Sequence, residues 1–376
     1  MSRPLTIAVF GLSLSSSWGN GHATTYRALL AGLARRGHRI IFFERRQPWY
    51  AQHRDLATPD YCELVFYDSV AELAAHRSLL MAADVRIVGS YVPDGVAVGL
   101  FVHGLGGVSA FYDIDTPVTL AALRAGQCAY LSAIQIPAYD LYLSFTGGPT
   151  LDELEERYGA RHAAALYCSV DPALYRPLPI RPRWDLGYLG TYSDDRQPTL
   201  QRLLLDVAER APELNFVVAG ALYPGGLHWP ENVTHIEHVA PAEHASFYAH
   251  CRWSLNVTRA DMRAAGHSPS VRLFEAAACG SALISDRWPG LDALLDPDGE
   301  IALVEGTDDV LAILREWPDE RRSAQAARAR ERVLAEHTGD VRAGELEALL
   351  HAALKERQQR MGSARSTAPR PAATPA

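Results

Sequence analysis

From end to end the chain alternates short β-type apolar runs with stretches of helical periodicity, and it does so in two series. The first reads "LTIAVFGL", "HRIIFFE", "DVRIVGS", "VSAFYDI", "DLYLSF" and "AALYCSV"; the second reads "DLGYLGTYS", "NFVVAG", "VTHIEH", "WSLNVT", "SALISD" and "EIALVEG". Strand runs separated by helices belong to parallel sheets covered on both faces, so the fold class is α/β. Between the series, Asp171 to Asp185 is dense in proline and lacks periodicity, which predicts a linker. The predicted units are residues 1–172 and 185–360, joined by 173–184, with terminal helices in the second unit and a low-complexity, disordered tail at 361–376. A length of 376 residues also favours two cores over one. Two doubly wound, Rossmann-like domains in tandem face each other across a cleft at the C-terminal ends of their strands, where open α/β folds bind ligands.

Of the 36 basic residues only Lys355 is a lysine. A P-loop, which needs a phosphate-binding lysine, is excluded, and Schiff-base chemistry has no candidate in the body of the chain. Any phosphate must be held by arginines, hydroxyls and backbone N–H groups. A net charge of -8 argues against nucleic acid as a partner. Five scattered cysteines without a C-x-x-C pair suggest neither a disulfide framework nor a zinc site. No apolar run reaches the length of a membrane span, and the N-terminus enters a strand without a signal-peptide pattern, so a cytoplasmic location is expected.

The segment "SPSVRLFEAAACG" carries a specific signal. Val271, Phe274 and Ala278 fall on one helical stripe, and Ser268 with Pro269 suits an N-cap and first turn. The strand "WSLNVT" and an arginine-bearing loop precede it. A helix start offers free N–H donors and positive field to an anion such as a pyrophosphate. Ser268 and Ser270 add hydroxyls; Arg259, Arg263 and Arg272 are candidate charged partners. Glu275, one turn deeper, has two acceptor oxygens that match a vicinal diol such as a ribose. The bland alternative is a carboxylate paired with Arg272 one turn back.

In the first half, "SSSWGNGHATTY" places Gly19, Gly21 and His22 immediately before the first helix, where glycine lets backbone approach a ligand closely. "FYDIDTP" puts Asp113 and Asp115 at a strand end that faces the cleft, with Asp115 alternatively a helix cap. "SFTGGPT", Thr146 to Thr150, is a further strand-to-helix turn beside that cleft.

"GHSPSVRLFEAAACGSALISD" resembles the C-terminal donor-site motif of GT-B glycosyltransferases, most closely the CgeB-like (spore-maturation-type) group. "GYLGTYSDDRQPTL", "CSVDPALYRP" and "FVVAGALYP" resemble that group too, and the likeness covers about Leu5 to Glu305. The resemblance implies a GT-B architecture and transfer of a sugar from a nucleotide-diphosphate donor to an acceptor hydroxyl on a glycan, small molecule or cell-envelope component. In related family-four enzymes two glutamates stand eight positions apart and the second holds the ribose. Glu275 matches the second, while His267 occupies the first position, so the stereochemical outcome of the paired glutamates is not carried over. Val271 falls within the same donor motif. The loop before His22 resembles the glycine-rich loop of GT-B enzymes, in several of which a histidine here contacts acceptor or acts as base; lining or capping is the alternative role for His22. Asp-Ile-Asp is formally a GT-A metal motif, but the two-domain pattern favours GT-B, so no metal and no cofactor is expected. Asp113 or Asp115 would then serve as base or orient His22.

Three rival readings are open on the sequence. A nicotinamide-dependent oxidoreductase would use Glu44 at the end of the second strand, but "GLSLSSSWGNG" is not G-x-G-x-x-G. A nucleotide-sugar epimerase would share the donor site and need no acceptor. A non-catalytic binding protein would keep the fold alone.

Overall fold

The computed structural model describes residues 3–18 and 21–366. Among them, strands Thr6–Gly11 (β1), Arg39–Arg45 (β2), Glu63–Tyr67 (β3), Val85–Gly89 (β4), Val108–Asp113 (β5), Leu141–Ser144 (β6) and Ala163–Ala165 (β7) form one parallel sheet in the order β3-β2-β1-β4-β5-β6-β7. Trp184–Leu189 (β8), Phe216–Ala219 (β9), Val233–Ile236 (β10), Cys251–Asn256 (β11), Ala282–Asp286 (β12) and Ala302–Val304 (β13) form a second, ordered β10-β9-β8-β11-β12-β13. Every pairing is parallel; β1 matches Ile7 to Ile40 on one side and to Val85 on the other. The α/β class and two doubly wound sheets are as the alternation predicts.

Central strands such as Val85–Gly89 are buried throughout, which is why they read as unbroken apolar runs. The first helix, His22–Arg35, buries Tyr26, Leu29, Leu30 and Leu33 against the first sheet and is followed by Gly37 at φ 91°. The sequence reading lacks one strand, "ELVFY" at β3. It pairs only with β2, at the sheet edge, and its outward residues are half-exposed, so it lacks the buried signature of its neighbours.

Residues 166–183 are irregular and lead into β8. The chain crosses back beside them, where Gly339 N donates to the Val170 carbonyl and Val170 N to the His337 carbonyl, both at 3.0 Å. The last helix, Gly339–Ser366, does not stay with the second unit, where the sequence reading puts the terminal helices. It lies along the first helix, so closely that a Cβ on Gly32 would come within 2.6 Å of the Gly339 carbonyl. Arg35 reaches Asp340 at 2.9 Å and Arg36 reaches Glu347 at 2.6 Å. At its far end Arg357 and Arg360 bind Asp140 of the first half, at 3.3 and 2.7 Å. Helix Asp319–Glu336 does stay with the second sheet, through Gln325 on the Leu283 backbone. Because the last helix runs on to Ser366, the tail expected to be disordered is helical over 361–366; its remainder, 367–376, lies outside the described residues.

Candidate active site

A cleft of about 360 Å³ opens between the two sheets. In each sheet the strand order reverses at one place, between β1 and β4 and between β8 and β11. The cleft is lined by loops that follow β1 (Ser17, Gly21, His22), β8 (Gly190, Thr191, Arg196) and β11 (Thr258, Arg259), so it lies at the switch points of both sheets.

The C-terminal wall centres on Glu275, which is buried with 4% exposure. Its Oε2 accepts from the Tyr248 hydroxyl at 3.3 Å and lies 3.7 Å from His244 Nδ1. The Tyr175 hydroxyl, from the interdomain segment, meets the same His244 nitrogen at 3.1 Å. Burial alone would raise the Glu275 pKa, but His244, Tyr175 and Tyr248 outweigh it and hold the carboxyl below its ordinary range. An anionic acceptor is thus built into the buried wall of the cleft. Arg272 is not its partner. The guanidinium turns to the Leu189 carbonyl and to Asn256 Oδ1 at 2.9 Å, over the Tyr188 ring, which removes the bland pairing considered above.

Helix Val271–Ala278 begins two residues later than the sequence suggests. Ser270, extended at φ -82° and ψ 140°, occupies the N-cap position and faces the cleft with Val271. Ser268 is fully buried and bonds Thr146 of the first half at 2.8 Å, so it ties the halves together rather than presenting its hydroxyl to the cleft. His267, at φ 47°, accepts from Gly147 N at 2.9 Å through its carbonyl. Its ring wedges between Gly148 and Gly290, and it does not line the cleft. The turn 146–148 therefore meets the donor helix's approach, not open space.

On the opposite wall, His22 opens the first helix with Gly21 at its N-cap; Gly19 lies outside the described residues. His22 Nε2 stands 3.9 Å from Asp115 Oδ2, and Arg259 Nη1 stands 3.6 Å from the same oxygen. Burial lowers the His22 pKa; Asp115 raises it and Arg259 lowers it again, so the imidazole is held neutral and able to accept a proton. Tyr91 donates to Asp115 Oδ2 at 3.0 Å from a backbone at φ 62°, a conformation costly for a bulky residue.

Asp113 and Asp115 separate. Asp115 lines the cleft, whereas Asp113 is fully buried behind it, accepting from Tyr142 at 2.6 Å, Thr119 at 2.8 Å and Asp115 N. Burial raises the Asp113 pKa to about 6 despite those donors. The D-x-D pair cannot jointly face a ligand. Arg263 is likewise outside the cleft, on the other side of its short helix beside Asp286 and Trp288. Glu44 is spent on the loop after β1, accepting from Leu14 N, Ser15 N and Ser15 Oγ at 2.6 to 2.9 Å. It shows no feature of a dinucleotide site.

Sequence reasoning missed Tyr91, Tyr175, Thr191, Arg196, His244 and Tyr248. Arg196 had a signal, in "GTYSDDRQ": Asp195 caps the short helix 260–265 at Ala260 N (3.0 Å), and Arg196 is clamped to Ser193 and Thr191 at the cleft. The tyrosines and His244 had none, because they come from separate segments.

Residues 196–348 match the family model described as "Glycosyl transferase-like". No curated protein matches the chain by sequence. Sucrose-phosphate synthase from Thermosynechococcus elongatus is similar in structure at 15% identity and TM-score 0.68, over 93% of this chain and 100% of that one. Anabaena HepE in complex with UDP-glucose is similar at 12% identity and TM-score 0.65, over 93% and 100%. An α,α-trehalose-phosphate synthase (UDP-forming) from Burkholderia vietnamiensis gives 12% identity and TM-score 0.61, over 93% and 100%. The chain thus has the GT-B glycosyltransferase fold, with a glycosyl transferase-like stretch over residues 196–348.

Proposed function

We propose that the chain is a glycosyltransferase of the CgeB-like group that moves a sugar from a nucleotide-diphosphate donor to an acceptor hydroxyl. The observation that carries this reading is one cleft with a caged, anionic Glu275 on one wall and a neutral His22 beside Asp115 on the other. Glu275 takes the donor ribose. The diphosphate lies toward the helix start at Ser270 and Val271, where N–H donors, Arg259, Arg272 and Arg196 offset its charge. His22 removes the acceptor proton, oriented by Asp115, while the arginines stabilise the leaving diphosphate without a metal. UDP-glucose bound by a structural neighbour makes uridine donors the first to try.

In this reading residues 1–172 form the acceptor side and 185–338 the donor side, with the last helix completing the acceptor side. Five unpaired cysteines suit a cytoplasmic protein. No helix of the described residues is long and apolar enough to cross a membrane. The test is calorimetric titration with a panel of UDP-, GDP- and dTDP-sugars, repeated on Glu275→Ala. Binding of one nucleotide class, weakened in the variant, is the expected result. Absence of binding to every nucleotide sugar overturns the reading.

A further inference from the structure

The helix Gly95–His103 and the turn Ala133–Ala138 lie side by side on the surface of the first half. Gln135 Nε2 donates to the Val96 carbonyl at 2.9 Å, and a Cβ on Gly99 would meet Tyr139 and Gln135 at 2.7 and 2.9 Å. The neighbours of this contact point outward: Ile134 is 85% exposed and Leu100 62%. Ala97, Ala133, Pro137 and Ala138 are exposed with them. No Asp, Glu, Lys or Arg occurs between Asp94 and Asp113, or between Arg124 and Asp140. Neither element therefore carries a charge to hydrate this face.

One side of the rim carries an arginine cluster. Arg161, Arg357 and Arg360 share one buried carboxylate, Asp140, at 2.7 to 3.3 Å, which leaves an excess of positive charge. Asp140 and Arg161 act electrostatically on His103, at the end of the same helix as Leu100, and Gly159 abuts Pro137. The apolar face and the arginines are thus contiguous. The face also begins near the cleft, since the Tyr130 ring packs at a tilt against Tyr91, centroids 4.7 Å apart, and Tyr91 holds Asp115.

We propose that this face docks the first half on an anionic lipid bilayer, with Ile134 and Leu100 entering the interface and Arg161, Arg357 and Arg360 meeting lipid headgroups. A second copy of the chain fits less well, because a two-fold contact sets this patch against itself and crowds arginines with arginines. Resting on the glycosyltransferase reading, the placement implies an acceptor anchored in the membrane, delivered beside Asp115 and His22.

The test is sedimentation of the full chain with vesicles of phosphatidylglycerol and phosphatidylcholine, against phosphatidylcholine alone. Wild type should pellet with the anionic vesicles and be released by high salt. Ile134→Asp with Leu100→Asp should lower the partition coefficient about tenfold or more, the order expected from withdrawing large apolar side chains. Arg161→Gln should lower it about fivefold on anionic vesicles. UDP titration and thermal melting of the same variants keep folding and donor binding in view, so loss of docking is separable from loss of the donor site. Failure of wild type to bind vesicles overturns the proposal. So does binding unaffected by the aspartates, or a dimer that the aspartates dissociate in a chain that ignores vesicles.

Discussion

The hydroxyl of Thr24 and the carboxylate of Glu275, 251 positions apart, meet at 3.4 Å across the cleft. One belongs to the first helix and the other to the helix assigned to the donor. A ribose on Glu275 must compete with Thr24, so donor entry is coupled to the separation of the two walls.

Glu275→Ala is expected to weaken nucleotide binding by about 2–3 kcal/mol, since hydrogen bonds to a charged group carry about 1.5–3 kcal/mol each and share one carboxylate. Thr24→Ala should leave binding unchanged or tighten it, because a competing donor is removed. Calorimetry on both variants checks the pair; unchanged affinity in folded Glu275→Ala returns that residue to a purely structural role.

His22→Ala should cost about 10²–10⁴-fold in turnover while leaving donor affinity intact. Because burial lowers the imidazole pKa, the base stays neutral, and activity persists, to a pH below that of an ordinary histidine. Asp115→Asn removes the charge that raises this pKa, so the acid limb should move to still lower pH. NMR titration of the His22 ring in wild type and Asp115→Asn reads the shift directly, and a shift in the opposite direction contradicts the assigned geometry.

Asp113 should affect stability rather than chemistry. Its folded pKa of about 6 lies above the ordinary 3.8, so its contribution is full below pH about 3.8 and is lost as pH rises through about 6. The raised pKa corresponds to about 3 kcal/mol at roughly 1.4 kcal/mol per pH unit. Relative to Asp113→Asn, wild type should therefore be more stable at acidic than at neutral pH, as measured by denaturant midpoints; a difference independent of pH rejects the assignment.

EDTA should leave turnover nearly intact. Asp113 is turned away behind Asp115, and Arg196, Arg259 and Arg272 surround the helix start where the diphosphate is assigned. Loss of activity on chelation, restored by manganese, would show that the charge is carried by a cation instead.

Gly32→Val should destabilise the fold by about 1–3 kcal/mol or more, because any side chain there strikes the backbone of the last helix. A thermal melt indistinguishable from wild type would mean that the helix pair is looser than its geometry.

Periodicity exposed the sheets because buried parallel strands are written as apolar runs, and the helix that carries Glu275 was legible because stripe and carboxylate are local, although its cap falls at Ser270 and not at Ser268. What escaped is long-range. Tyr175, His244 and Tyr248 converge on Glu275 from the interdomain segment and a separate helix, and no local pattern announces such a meeting. Asp113 and Asp115 look equivalent in sequence, yet Asp113 ends β5 and turns inward while Asp115 lies beyond it at the cleft. Arg259 and Arg263 are one helical turn apart, but only Arg259 faces the cleft.

The embrace of the first helix by the last sets an order of synthesis. Gly32 leaves the ribosome early, while its cover at Gly339 follows more than three hundred residues later. At about 5–20 residues per second the nascent first half waits on the order of tens of seconds with that helix face uncovered. A stalled or truncated product lacking the last helix would therefore expose an apolar seam in the part of the molecule translated first, and would be a natural client for chaperones.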